Sequence, residues 1–266
     1  MNTPLIEPIY SPSDEPMRVA VLLSGSGTNF IAIYEEGKRL AASGGKHYAT
    51  IGAVFTNVPG CKGVLIAAGL GIPVLGLSSK LFFSSLGRDP DDEAGRDYFD
   101  AAMIALIEDV CTPDIIVLAG YRRRLGGMFL RRYRNRVVNL YPGDITKDYL
   151  VRGVDASVQA IRAGEGSIKC TVYLERERER FGPALVQSEP ISLAGYKEED
   201  AEAVNELIRS KGEWRIFPYA VHNLIAGGRL GVDGDDNIYL DGKKLGKEGY
   251  QYRGESGQPA ELSNKT

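Results

Sequence analysis

Five residues at the exit of the first apolar run carry the clearest chemical pattern in the chain: Gly25, Ser26, Gly27, Thr28 and Asn29. They follow RVAVLLS (residues 18–24) and precede a helical pattern over residues 30–39, with Ile31, Ile33 and Tyr34 among its apolar members. A glycine turn between strand and helix presents backbone N–H groups at the positive end of the helix, a geometry suited to a phosphate monoester. The side chains of Ser26, Thr28 and Asn29 would add further groups. The same turn also serves as a tight connection with no ligand, and both readings stand here. A dinucleotide fingerprint is excluded, because its third glycine would fall on Phe30 and the second strand ends in Phe55, Thr56 and Asn57 rather than an acid. No Gly-Lys-Ser/Thr phosphate loop occurs.

Other reactive types are sparse. The two histidines are His47, in a polar loop, and His222, in an apolar helical pattern, which reads as a packed or surface residue. The cysteines, Cys61, Cys111 and Cys170, show neither a disulfide framework nor paired zinc spacing, so reduced thiols and no metal are expected. ERERER (residues 175–180) is a charge alternation of the kind that forms a solvated loop. Arg131, Arg132, Arg134 and Arg136 read as a solvated helix face or as a local basic patch.

These residues need elements to position them. Buried strands are expected over residues 18–24, 50–55, 73–77, 114–119 and 137–140, with helices over 67–70 and 93–110. A polar loop is expected over residues 78–92. Strands alternating with helices imply an α/β, doubly wound, mostly parallel Rossmann-like sheet, which places ligands beyond the carboxyl ends of its strands. Further on, residues 154–163, 198–211 and 214–225 read as helices, and 169–174 and 184–190 as strands. Residues 237–240 and 243–245, joined by Asp241 and Gly242, form a C-terminal β-hairpin with a type I′ turn. The domain plan is a disordered leader over 1–16, a single domain over 17–250 and a disordered tail over 251–266.

The 266 residues carry a net charge of −3, with 43% hydrophobic and 25% charged residues, ordinary for a globular enzyme and without the basic excess of a nucleic-acid binder. No secretory signal or membrane-length apolar run is present, so a cytoplasmic protein is expected, with no membrane or nucleic-acid partner, as monomer or homodimer.

Eight segments then occur in a telling order: VLLSGSGTNFIAI (21–33), VFTN (54–57), DIIVLAGYRRRL (114–125), VVNLYPGD (137–144), GVDASVQAIRAGE (153–165), CTVYL (170–174), GPALVQ (182–187) and EWRIFP (213–218). Together they resemble the glycinamide ribonucleotide formyltransferase family over residues 18–250. The resemblance implies the formyltransferase fold and formyl transfer, in purine biosynthesis, from the co-substrate 10-formyltetrahydrofolate to the amine of glycinamide ribonucleotide, a phosphorylated small molecule. It implies phosphate binding by Gly25, Ser26, Gly27, Thr28 and Asn29, and substrate contact by Glu213. Folate binding would fall to Arg122, Arg123, Arg124 and Leu125 with Phe181 and Gly182.

The resemblance also implies an Asn and a His in an N-x-H-P-S stretch that stabilise the oxyanion and move protons, and an Asp in a later D-x-G motif that holds the His. Here the Asn is Asn139, the His position is Tyr141, and the Asp position is Arg180, with Glu179 one residue away. Tyr173 stands where a second family histidine is expected. The catalytic candidates are therefore Asn139, Tyr141, Arg180 and Glu179, with Asp144 as a further partner. A tyrosine, with a pKa of about 10, is a poor proton acceptor at neutral pH unless an adjacent cation such as Arg180 lowers it. Three readings follow: a transformylase with an altered acid/base group, one-carbon transfer to or hydrolysis from a different substrate, or nucleotide and folate binding without turnover.

Overall fold

The computed structural model describes residues 4–90, 92–151 and 153–254. From β1 (Glu7–Pro8) the chain enters β2 (Met17–Leu23), buried throughout except at Arg18. Val19, Val21 and Leu23 of β2 join one core cluster, and Ala20 and Leu22 join another on the opposite face. A strand covered on both sides has no solvent face to leave polar, which is why it reads as an unbroken apolar run.

The chain continues through α1 (Thr28–Ala42), β3 (Ala49–Thr56), α2 (Lys62–Gly69), β4 (Val74–Gly76), α3 (Ser79–Leu86) and α4 (Glu93–Val110). Next come β5 (Ile115–Leu118), α5 (Gly127–Arg132), β6 (Val137–Tyr141), α6 (Ala156–Arg162), β7 (Ser167–Ile168), β8 (Thr171–Leu174), β9 (Ala184–Gln187) and β10 (Ile191–Ser192). α7 (Ala201–Ile208) then runs without a break through a π-helical stretch, Arg209–Glu213, into α8 (Trp214–Pro218) and a second π-helical stretch, Tyr219–Ala226. β11 (Leu230–Val232), β12 (Ile238–Leu240), β13 (Lys243–Lys244) and β14 (Tyr250–Gln251) complete the described chain.

The main sheet has the order β14-β9-β8-β6-β5-β2-β3-β4. Its pairings are parallel except at β8, which runs against both β6 and β9. β2 pairs with β3 on one side and β5 on the other, so the winding reverses there and a crevice opens beyond the carboxyl ends of these strands.

Four expectations need correcting. The leader is not frayed over its described part: Glu7 pairs with Val232, Pro8 with Gly231, and Ile9 is buried. Residues 78–92 are not a loop throughout; Ser78 caps α3, accepting from the Leu81 N–H (3.3 Å), and Phe83 is buried against Phe99. The helices expected at 198–211 and 214–225 are one continuous helical run. The tail is ordered as far as Gln251, which pairs with Gln187; residues 255–266 lie outside the described chain. The hairpin is present, with Asp241 (φ 50°) and Gly242 (φ 77°) both in the left-handed conformation a type I′ turn requires.

Candidate active site

Ser24 stitches three strand ends together. Its N–H donates to the Gly120 carbonyl (3.2 Å), its hydroxyl donates to Asn57 Oδ1 (2.6 Å), and that hydroxyl accepts from the Arg122 N–H (3.0 Å). Gly27 then turns the chain at φ 78° and caps α1. A Cβ at Gly27 would lie 2.8 Å from the Gly63 Cα, so the start of α2 packs directly on the turn, and the Gly63 N–H donates to the Gly25 carbonyl (2.9 Å). No side chain caps α1 and its first turn holds no acid, which leaves its leading N–H groups and positive dipole end unopposed.

Asn29, in that first turn, donates from Nδ2 to Glu213 Oε2 (2.7 Å). Its Oδ1 is buried with no hydrogen-bond partner among the described residues. Glu213 sits at the end of the first π-helical stretch, where burial raises its carboxyl above the usual range against the opposing bond from Asn29. Irregular turns of this type often deliver functional side chains.

The three consecutive arginines divide by alternation. Tyr121 and Leu125 pack on the core beside α4, and Arg123 lies over the rings of Phe83 (4.5 Å) and Phe99 (4.8 Å). Arg123 is thus half-buried and packed on the aromatic core. Arg122 and Arg124 are exposed. The Arg122 Nη2 lies 4.0 Å from where a Cβ at Gly25 would stand, which puts its guanidinium over the glycine turn, and the charge of Arg124 acts on Glu175.

Asp100 anchors this segment from below, accepting from the Gly126 N–H (2.5 Å). Burial, opposed by that bond, pushes its carboxyl up to about 7. The folded state therefore keeps the proton to about pH 7, whereas the unfolded chain loses it near pH ~4. Stability from this group falls as pH rises between those values and is flat above them. Asp100→Asn retains an acceptor for Gly126 without the titration. Its stability relative to the parent should increase between pH 5 and pH 8, by roughly 1–3 kcal/mol; thermal melts at the two pH values check this, and a constant difference would contradict it.

On the same face of the sheet, Asn139 of β6 lies opposite Tyr173 of β8. Asn139 Oδ1 accepts from the Leu140 N–H (2.8 Å). Its Nδ2 donates both to the Tyr173 hydroxyl oxygen (2.8 Å) and to Glu175 Oε1 (2.7 Å), and the Tyr173 hydroxyl donates to Glu175 Oε1 (3.0 Å). Burial raises Glu175 above the ordinary carboxylate range, opposed by its bonds to Asn139 and Tyr173 and by Arg124. Burial and the Glu175 charge hold Tyr173 firmly protonated.

The remaining catalytic candidates are placed differently from expectation. The Arg180 charge acts to lower Tyr141 but does not prevail. Burial raises the Tyr141 phenol and outweighs the Gln159 bond and the Arg180 charge. The Arg180 guanidinium donates to the Leu150 carbonyl and lies 5.3 Å over the Phe181 ring. Glu179 is exposed, its charge acting on Arg176. Asp144 is held below its usual range: burial raises it, but bonds from Thr146 and Gln187 prevail. Phe181 packs its ring 4.9 Å from Tyr141 and 5.5 Å from Tyr173, and Gly182 is buried against the Leu174 carbonyl, where no side chain fits. His222 is structural, with Nδ1 accepting from the Ala49 N–H (3.0 Å) and Nε2 donating to the Ile33 carbonyl (2.9 Å). Arg131, Arg132 and Arg134 pair with Glu177, Glu108 and Asp236. Glu175 was hidden by its own sequence, since it opens the charge alternation; its one signal was its position two residues after Tyr173, on the same face of the strand.

A glycine turn at a winding reversal and a partly buried amide–carboxylate cluster mark a doubly wound α/β protein, and residues 17–221 match the family model for formyl transferase. The chain belongs to the phosphoribosylglycinamide formyltransferase family. It is 31% identical over 234 residues to the phosphoribosylglycinamide formyltransferase of Haemophilus influenzae, covering 88% of this chain and 98% of that one. It is 32% identical over 218 residues to the trifunctional purine biosynthetic protein adenosine-3 of Drosophila melanogaster; that match covers 82% of this chain but spans only 14% of the fly protein. Among solved structures, the phosphoribosylglycinamide formyltransferase of Coxiella burnetii superposes with a TM-score of 0.72 at 27% identity, covering 90% of this chain and 100% of that one. No described helix is long and apolar enough to cross a membrane.

Proposed function

We propose that this protein transfers the formyl group of 10-formyltetrahydrofolate to the primary amine of glycinamide ribonucleotide, in the cytoplasm, with an acid/base group other than histidine. The carrying observation is the N-terminus of α1, without a side-chain cap and preceded by a glycine turn that the Arg122 guanidinium approaches at Gly25. A phosphate fits that turn in charge and in donor geometry. Asn29 Oδ1, buried and unpartnered, fits a donor group of the same substrate, beside Glu213. Gly182 with the rings of Phe181, Tyr141 and Tyr173 suits a flat heterocycle alongside residues 119–125. When bound, the folate supplies the formyl group; the chain's own residues orient the amine and move its proton.

Calorimetry with glycinamide ribonucleotide and with its dephosphorylated form tests the turn. Affinity should fall at least about tenfold without the phosphate, and equal affinities would remove the phosphate site. An absorbance assay with 10-formyltetrahydrofolate should then show transfer, slower than an ordinary histidine-dependent rate by up to about 10²–10⁴. The engagement of both Asn139 N–H groups favours a second reading, binding of both ligands without turnover. It would be established by tight binding with no transfer.

A further inference from the structure

Resting on the formyl-transfer reading, we propose that Glu175 is the proton acceptor and donor of the reaction, with Tyr173 fixing its carboxylate and Asn139 stabilising the charge that forms on the formyl oxygen. Glu175 Oε1 receives two hydrogen bonds, from Asn139 Nδ2 (2.7 Å) and the Tyr173 hydroxyl (3.0 Å). The groups whose charge or bonding faces it are Asn139, Tyr173 and Arg124. It is partly buried, and the register of β8 on β6 places it on the face of the sheet that carries Asn139. Arg180 is turned to the Leu150 carbonyl, Glu179 is exposed with its charge acting on Arg176, and burial keeps Tyr141 protonated at neutral pH. A partly buried carboxylate held above its ordinary range is suited to taking up a proton and giving it back.

The balance is simple. As the amine nitrogen bonds to the formyl carbon, the carbonyl electron pair moves to oxygen, and Glu175 takes the proton released by the nitrogen. As the carbon–nitrogen bond to the folate breaks and the carbonyl re-forms, Glu175 returns that proton to the departing nitrogen. No oxidant or reductant enters. Protonation of Glu175 also weakens its claim on the Asn139 N–H, which becomes available to the oxyanion when the negative charge is there.

Two measurements test this. In the absence of substrates, the carboxyl carbon of Glu175, followed by nuclear magnetic resonance with the Glu175→Gln protein for assignment, should titrate above the ordinary glutamate range of about 4.3. In the assay, Glu175→Gln should lower kcat by about 10²–10⁴ and abolish the acid limb of the kcat–pH profile. The affinity for glycinamide ribonucleotide by calorimetry should stay within about threefold. An ordinary titration midpoint, or a variant that keeps both its rate and its acid limb, would overturn the assignment. Parent protein without transfer to glycinamide ribonucleotide would instead overturn the formyl-transfer reading and this role together.

Discussion

Replacing Asn139 by alanine should lower kcat by about 10²- to 10³-fold while moving the KM for either substrate by no more than about threefold. The expectation follows from how completely the amide is fixed. Its oxygen accepts from the next backbone N–H, Leu140, and its nitrogen is gripped by Tyr173 and Glu175. A donor already fixed in place, and released by Glu175 as that carboxylate takes up its proton, needs little reorganisation when charge develops near it, and that is where electrostatic stabilisation is largest. Alanine removes the donor. It also strips one of the two hydrogen bonds from the Glu175 carboxylate, so a stability loss of about 1–3 kcal/mol should accompany the kinetic one. Steady-state kinetics on folded variant would separate the two, and unchanged kcat would remove Asn139 from the reaction.

The second large effect lies at the turn. Gly27→Ala should destabilise the protein by roughly 2–4 kcal/mol and weaken glycinamide ribonucleotide binding at least about tenfold, whereas Gly25→Ala should leave thermal stability nearly unchanged. Gly27 is left-handed at φ 78°, and the added methyl would meet the backbone of Gly63, which has no flexible end to swing aside. Gly25 has no such backbone demand, and the nearest atom to its added methyl would be Arg122 Nη2 at 4.0 Å. Melting curves and calorimetry on the pair check the contrast. Equal destabilisation by the two would mean that the turn does not depend on its contact with α2.

Much of this arrangement is legible in the residues themselves. β2, β3 and β5 announce themselves as unbroken apolar runs because both faces are covered, and the glycine turn stands out because strand, glycines and helix follow without a gap. Other parts are decided by distant partners. The short helix α3 is masked by the serines and glycine around it; what makes it a helix is the burial of Phe83 against Phe99 and Arg123, which no local pattern reveals. The packing of Arg123 on Phe83 and Phe99 is likewise invisible within a run of three arginines. Glu175 looks solvated because it begins a charge alternation, yet the register of β8 on β6 carries it beside Asn139. The first described residues look like a loose polar leader because their partner, β11, lies at the far end of the chain.

That last pairing bears on the order in which the protein assembles. Glu7 meets Val232 and Pro8 meets Gly231 across nearly the whole described chain, a contact whose loop-closure entropy is among the largest this molecule must overcome. The clasp of β1 on β11 is accordingly a latch on the finished molecule, closed only when both ends of the domain have been synthesised.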